Sequence, residues 1–258
     1  MRVMLKSLLR KTLWVALLPA MTSFASHAAE LVVWSAGAVK PALEEIFPEF
    51  QKQSGIRLQV QYAPVGVWMR RLAEGGQPDV LILSSDVIKE VESKGWSVPG
   101  SATPLGNVVV GVAVKQGAKL PDVSTPEALR SALLAAKSIT YMDPQKGTSG
   151  KHFAGVLEQL GIAEQVKSKT TLGDAGYVME PVARGEIELG IQQITEILPV
   201  KGAVLVGPLP PSLQKTTTYV MAQGSRATDR QAVTALGQFL QSPAALESFK
   251  RAGFILGN

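Results

Sequence analysis

Hydrophobic and polar positions change period repeatedly between residues 30 and 95. ELVVWSA is a run of apolar and β-branched residues and predicts a buried strand. In VKPALEEIFPEFQKQSG, Leu43, Ile46, Phe47 and Phe50 recur at helical spacing and Gly55 supplies the stop. IRLQVQYA then alternates like a strand, VWMRRLAEGG reads as a short helix with a glycine stop, DVLILSS as a buried strand and DVIKEVESKG as a helix. Strands alternating with helices in this way predict a parallel sheet covered by helices, whose ligands sit at the carboxyl ends of the strands.

NVVVGVAV, between Gly106 and Gly117, predicts one long β run. A helix start follows at Ser124-Thr125-Pro126-Glu127, with a capping hydroxyl and a proline in the first turn. A second β-α series comes next: the strand SITYM, a glycine loop and the helix SGKHFAGVLEQLG, a helix near GYVMEPVARG and the strand ELGIQQI. AVLVGPLPPSLQKTTTYVMAQG is again β-rich and is broken at Pro208, Pro210 and Pro211. Val233, Leu236, Phe239 and Leu240 then mark a helix, and a second helix ends at Gly253; this terminal pair is expected to dock on the first lobe. The predicted fold class is α/β, a two-lobed clamshell in which each lobe is a mostly parallel sheet flanked by helices. Residues 29–107 and 204–258 form lobe 1, residues 108–203 form lobe 2, and the ligand pocket is expected between them.

The first stretch departs from this pattern. Arg2, Lys6, Arg10 and Lys11 precede an apolar run from Leu13 to Met21, and small residues follow up to Ser26-His27-Ala28, the order of a secretory signal peptide. The apolar run is shorter than the ~20 residues that span a bilayer. Residues 1–28 are therefore expected to be removed, which shortens the 258-residue chain to 230 residues of a soluble periplasmic protein that is not integral to the membrane. Losing four basic residues leaves 22 positive charges against 21 negative ones, so the net charge falls from +5 to +1. No concentrated basic patch remains to recruit nucleic acid or a membrane surface.

Cysteine is absent, which excludes disulfides, thiolate catalysis and cysteine metal sites. His27 leaves with the signal, so one histidine remains, and zinc chemistry built on several histidines is poorly supported. Neither cofactor nor metal is expected. His152, in the first turn of its helix, is the obvious general base if the site moves protons, because it titrates near neutrality. A surface or capping role is the commoner fate of such a histidine.

The stretch ITYMDPQKGTSGKHF resembles a nucleotide phosphate loop in its Gly150-Lys151 ending, but the pattern fails: Gln145 stands where the first glycine belongs, and His152 offers no hydroxyl to magnesium. What remains is a loop that feeds a helix N-terminus, whose unpaired N–H groups and positive dipole end suit an anion.

Six segments taken in order resemble the periplasmic solute-binding proteins of the molybdate-binding type, which have the type II binding-protein fold. They are LVVWSAGAVKPALEEIFPEFQKQSGI, RRLAEGGQPDVLILSS, PLGNVVVGVAV, DPQKGTSGKHFAGVLEQLGI, VARGEIELGI and SPAALESFKRAGF, and they span nearly all of the chain beyond residue 28. The resemblance implies a monomer that captures a small anion between its lobes and an ABC transporter permease as partner. It also implies the site. The loop after the first strand is Ser35, Ala36, Gly37 and Ala38, and the loop after the second holds Pro64, Val65 and Gly66. Thr148, Ser149 and Gly150 form the glycine loop, Ala175 stands at a backbone-donor position, and Gln192 and Gln193 follow the strand ELGI. Ala38 and Val65 replace ligand serines of the molybdate binders, and Gln193 replaces a tyrosine. A desolvated oxyanion needs its oxygens matched by donors, so these losses favour an organic carboxylate over molybdate. Val65, Trp68 and Tyr177 are expected to form an apolar wall, and Arg70 or Arg71 could reach the cleft, although surface arginines are usually solvated. Glu180 and Tyr141 are further candidate proton carriers.

Gln192-Gln193, with VARGE before it and PDVS upstream, also resembles a branch of the superfamily that includes an aconitate isomerase. Two functions follow: capture of a small anion for transport, and, as the alternative, interconversion of cis- and trans-aconitate on the same fold. The intact mass of exported protein should correspond to a chain beginning at Ala29, and a species that retains Leu13 to Met21 would refute cleavage there.

Overall fold

The computed structural model describes residues 29–174 and 178–257. The expected signal segment, residues 1–28, and Ala175 therefore lie outside the described residues, as does Tyr177. The first lobe opens with β1 (Glu30–Ser35), a 3-10 turn at Gly37–Val39, α1 (Lys40–Ser54), β2 (Arg57–Tyr62), α2 (Val65–Ala73), β3 (Val80–Ser84) and α3 (Ser85–Ser93). Helix α1 buries Leu43, Ile46, Phe47 and Phe50, and Gly55 ends it in the left-handed conformation that glycine adopts without strain. All five residues of β3 are buried, as expected of a central strand covered on both faces.

The long β run divides. Strand β4 (Thr103–Val108) stays in the first sheet, and β5 (Val110–Lys115) enters the second. The second lobe continues through α4 (Pro126–Ala135), β6 (Ile139–Met142), α5 (Thr148–Gln159), α6 (Ala163–Lys167), β7 (Thr170–Gly173), α7 (Glu180–Arg184), β8 (Leu189–Gln193), α8 (Ile194–Ile197) and β9 (Ala203–Pro208). The Thr125 hydroxyl caps α4 by accepting from the N–H of Ala128, as the sequence predicts. The chain then returns through β10 (Thr217–Gln223), α9 (Arg230–Phe239) and α10 (Pro243–Arg251). Helix α10 packs on α1, with the Ser248 hydroxyl donating to the carbonyl of Ala42, so the terminal helices dock on the first lobe.

The strand orders are β2-β1-β3-β10-β4 and β7-β6-β8-β5-β9. In the first sheet β1 runs parallel to β2 and β3, while β10 is antiparallel to β3 and β4. In the second, β6 is parallel to β7 and β8, while β5 is antiparallel to β8 and β9. Each sheet thus contains one reversed strand, and in each it is the strand that arrives directly from the other lobe. Lobe 1 was expected to resume at residue 204, but β9 pairs with β5 in the second sheet, so the return falls between residues 209 and 216. The misplacement has a local cause: β9 and β10 are both β-rich and the proline break lies between them, so sequence alone does not assign either strand to a sheet.

The two crossings are tied together at the hinge. Val110 N–H donates to the Gln214 side chain at 3.0 Å, and the Gln214 amide donates back to the Val110 carbonyl at 2.7 Å. The Val110 carbonyl also accepts from the Leu209 N–H at 3.0 Å, whereas its N–H relies on Gln214. Replacing Gln214 by Ala leaves that partly buried N–H without its partner and should cost about 1–3 kcal/mol of stability, measured by urea unfolding.

Candidate functional site

Strands β1, β2, β6 and β8 end at the space between the lobes. A cavity of about 380 Å3 lies there, lined by residues of both lobes. Lobe 1 contributes Ala36, Gly37, Ala38, Lys40, Pro64, Val65 and Tyr219, and lobe 2 contributes Gly147, Thr148, Ser149, Gln193 and Glu196. The turn leading into α1, helix α2 and helix α5 all begin at this cavity. Their preceding residues, Ala36, Pro64 and Gly147, have extended backbone and provide no side-chain cap. Elsewhere Thr125, Asp229 and Ser242 do cap their helices. First-turn N–H groups have no acceptor within their own helix, so the uncapped starts turn donors and positive dipole ends toward the cleft.

Twelve of the expected binding residues lie within the described residues and divide by where they lie. Ala36, Gly37, Ala38, Pro64, Val65, Thr148, Ser149 and Gln193 line the cavity. Gly66 instead bridges the lobes, donating its N–H to the Lys146 carbonyl at 3.3 Å. Gly150 allows α5 to press on the end of β6, because a Cβ there would lie 2.0 Å from the Met142 carbonyl oxygen. Ser35 and Gln192 are fully buried and do not line the cavity. The Ser35 hydroxyl donates to the Ala36 carbonyl at 3.2 Å, and the Ser35 carbonyl accepts from the Trp68 indole at 2.9 Å. Ser35 and Trp68 thereby brace the first loop from behind.

The remaining chemical candidates lie elsewhere. His152 is half-buried beside Leu213 and Lys215, outside the cavity lining, and burial, with the Lys215 charge, holds its pKa below the usual value despite the Leu213 backbone hydrogen bond. Tyr141 packs edge-on against Phe153 in the second core. Arg71 donates to Gln61 and lies over Trp34 and Trp68, away from the cavity. Trp68 is buried in the first core rather than exposed as a wall. Glu180 does line the cavity, at its exposed rim.

Sequence reasoning missed three residues. Glu196, on α8, lines the cavity with 8% of its surface exposed. It faces the first loop so closely that a Cβ on Gly37 would lie 2.9 Å from its Oε1. Burial pushes its pKa from the ordinary 4.5 up to about 8, and the neighbouring Gln192 amide lowers it only in part. That amide does not reach full hydrogen-bond geometry, since both Gln192 polar atoms remain buried without a partner. The second missed residue is Tyr219, whose hydroxyl donates across the lobes to Gln193 Oε1 at 2.8 Å. Burial and the nearby Glu196 hold this phenol far above its usual pKa, so it remains a neutral donor. With its carbonyl committed to Tyr219, the amide of Gln193 offers its NH2 group to a ligand. Lys40 adds a cation at the cavity wall, paired with Glu44 at 3.7 Å and lying over the Tyr62 ring.

Two lobes joined by two crossings, with an anion-directed cavity at the strand ends, define a two-lobed binding protein in architecture. The chain belongs to the bacterial extracellular solute-binding protein family, whose model matches residues 31–255. An aconitate isomerase of Pseudomonas sp. is 31% identical over 229 residues, 86% of each chain. A molybdate-binding protein of Escherichia coli is 26% identical over 231 residues, 88% of this chain and 89% of that one. Among solved structures, the periplasmic molybdate-binding protein of Azotobacter vinelandii superposes with a TM-score of 0.75 at 18% identity, covering 88% of this chain and all of that one. This last likeness shows the fold.

Glu196 makes stability depend on pH in a definite direction. Its folded-state pKa of about 8 exceeds the ordinary 4.5, so between these values the folded state holds a proton that the unfolded chain releases. The stability tied to this group is complete below about pH 4.5 and is lost as pH rises through about 8, at up to ~1.4 kcal/mol per pH unit. Glu196→Gln should flatten that decline, and urea unfolding of both proteins from pH 5 to 9 measures it.

Proposed function

We propose that this protein is exported to the periplasm as a monomer and holds a small organic polycarboxylate in the cleft between its lobes, for delivery to an ABC transporter permease. The observation that carries this reading is the mixed character of the cavity wall. Alanine and valine stand at positions 38 and 65, while donors come from helix starts and from the Gln193 amide. An inorganic tetrahedral oxyanion needs donors on every side. A carboxylic acid with a carbon skeleton needs donors at its ends and apolar surface between them, which matches Ala38, Pro64, Val65 and Val67. Lys40 supports an anionic ligand, and the carboxyl of Glu196, neutral at pH 7, adds a donor rather than a repelling charge.

A second reading is an isomerase that shifts a double bond within such a ligand. The 31% identity to an aconitate isomerase favours it, and so does the presence of a buried titratable carboxyl in the cavity. Proton transfer needs a group whose pKa lies near the working pH and which touches the ligand.

A thermal-shift panel of molybdate, sulfate, phosphate, citrate and the two aconitate isomers separates these ligands, and the tricarboxylates should stabilise the protein most. Tight specific stabilisation by molybdate would overturn the carboxylate reading. Gln193→Ala should weaken carboxylate binding by about 1.5–3 kcal/mol, tenfold or more, because a hydrogen bond to a charged group is lost. Calorimetric titration measures that change.

A further inference from the structure

Beyond binding, we infer that Glu196 is a catalytic residue that carries a proton between two carbons of an unsaturated carboxylate held in the cavity. The inference rests on the carboxylate-binding reading above. Three carboxyl side chains line the cavity among the described residues: Asp174 and Glu180 are exposed at the rim, and Glu196 is buried at the back. The structure fixes the helix that carries the Glu196 carboxyl. Its helix α8 contacts the Gly37–Val39 turn of the opposite lobe, and it also presses on Gly253, where a Cβ would come 2.8 Å from Leu198 Cδ1 and 3.3 Å from Ile194 Cγ2. Gly37 leaves room for Oε1 at the loop that closes the cavity.

In a pure capture site such a group serves only as one more donor, and only while it is protonated. Burying a carboxyl costs stability, and an ionised one repels the anion it faces. In a proton-transfer site the same burial is useful, because it brings the carboxyl close to neutrality in proton affinity. The titratable and charged groups around Glu196 are Tyr219 on β10, Lys40 on α1 and the rim carboxylates Asp174 and Glu180. Tyr219 donates to Gln193 and stays neutral, so the first titration inside the cavity near pH 8 belongs to Glu196.

The step balances without a cofactor. The Glu196 carboxylate removes a proton from a methylene that lies between a carboxylate and a carbon–carbon double bond. The released electron pair forms a new double bond to the central carbon, and the old double bond delivers its electrons toward the former vinylic carbon. The carboxyl, open to exchange with solvent, then delivers a proton to that carbon. One C–H bond breaks, one forms, and nothing is oxidised or reduced. Helix starts and Lys40 hold the negative charge that spreads over the ligand meanwhile.

Proton NMR in heavy water on the purified full-length mature chain, with trans-aconitate as the probe, tests this directly. The wild type should convert the probe to its cis isomer and incorporate deuterium, with a rate that rises as pH approaches about 8. Glu196→Gln should bind the probe within about threefold of wild type by calorimetry and lose conversion by ~100-fold or more. Glu196→Asp, which keeps the acid but draws it back by one methylene, should retain part of the rate. A melting temperature for Glu196→Gln at pH 8 that equals or exceeds that of wild type shows that the variant folds. Wild-type binding without conversion or exchange overturns the proposal and leaves the binding reading standing. Absence of binding by the wild type overturns both. Conversion that survives in Glu196→Gln, or binding that vanishes in it, also overturns the assignment, since the amide preserves size and a hydrogen-bond donor.

Discussion

Three helix starts meet at the cleft with no side chain to satisfy them. Gly66 N–H is met by the Lys146 carbonyl of the other lobe, and the first-turn donors that find no such acceptor favour water or an anion. The strands that precede them must end at the same level, which the parallel register from Glu30 opposite Arg57 to Ser35 opposite Tyr62 achieves in lobe 1. The pairing of Ile139 with Leu189 does the same in lobe 2. Ser35 and Trp68 then fix the start of the first loop from behind.

Glu196 obeys the opposite logic. The helix starts attract negative charge, whereas burial makes negative charge on this carboxyl expensive. An anion held in the cavity, as proposed, would compete with an ionised Glu196 for the same donors, and a carboxyl that burial keeps protonated avoids that competition. Tyr219 and Gln193 belong to the same compromise. Their hydrogen bond joins the lobes through two neutral groups and leaves the cavity without a further fixed charge.

Much of the fold was legible from apolar periodicity. The alternation of β1 to α3, the Thr125 cap and the docking of the last two helices all follow from local pattern, and each is present. What escaped was decided by tertiary context. NVVVGVAV has no break at Val109, yet the chain changes sheets there. β7 has two exposed and two half-buried residues, so it carries no hydrophobic signal, and the four residues of α8 are too few to show a period. Loops named by resemblance mostly reach the cavity, because their position depends only on strand ends. Glu196 was invisible for a different reason: a glutamate in a short polar stretch becomes significant only when the other lobe closes over it.

The exchange of reversed strands between the sheets also bears on the order in which the chain can acquire its shape. Residues 110–208 contain every strand of the second sheet, so that lobe is a continuous piece. The first sheet is not: β10 lies between β3 and β4, and until residues 217–223 have been synthesised these two strands have no neighbour to join them. Strands β1 to β3 can pair early, but β4 has no sheet neighbour until β10 reaches it, so the first lobe is the last to be completed.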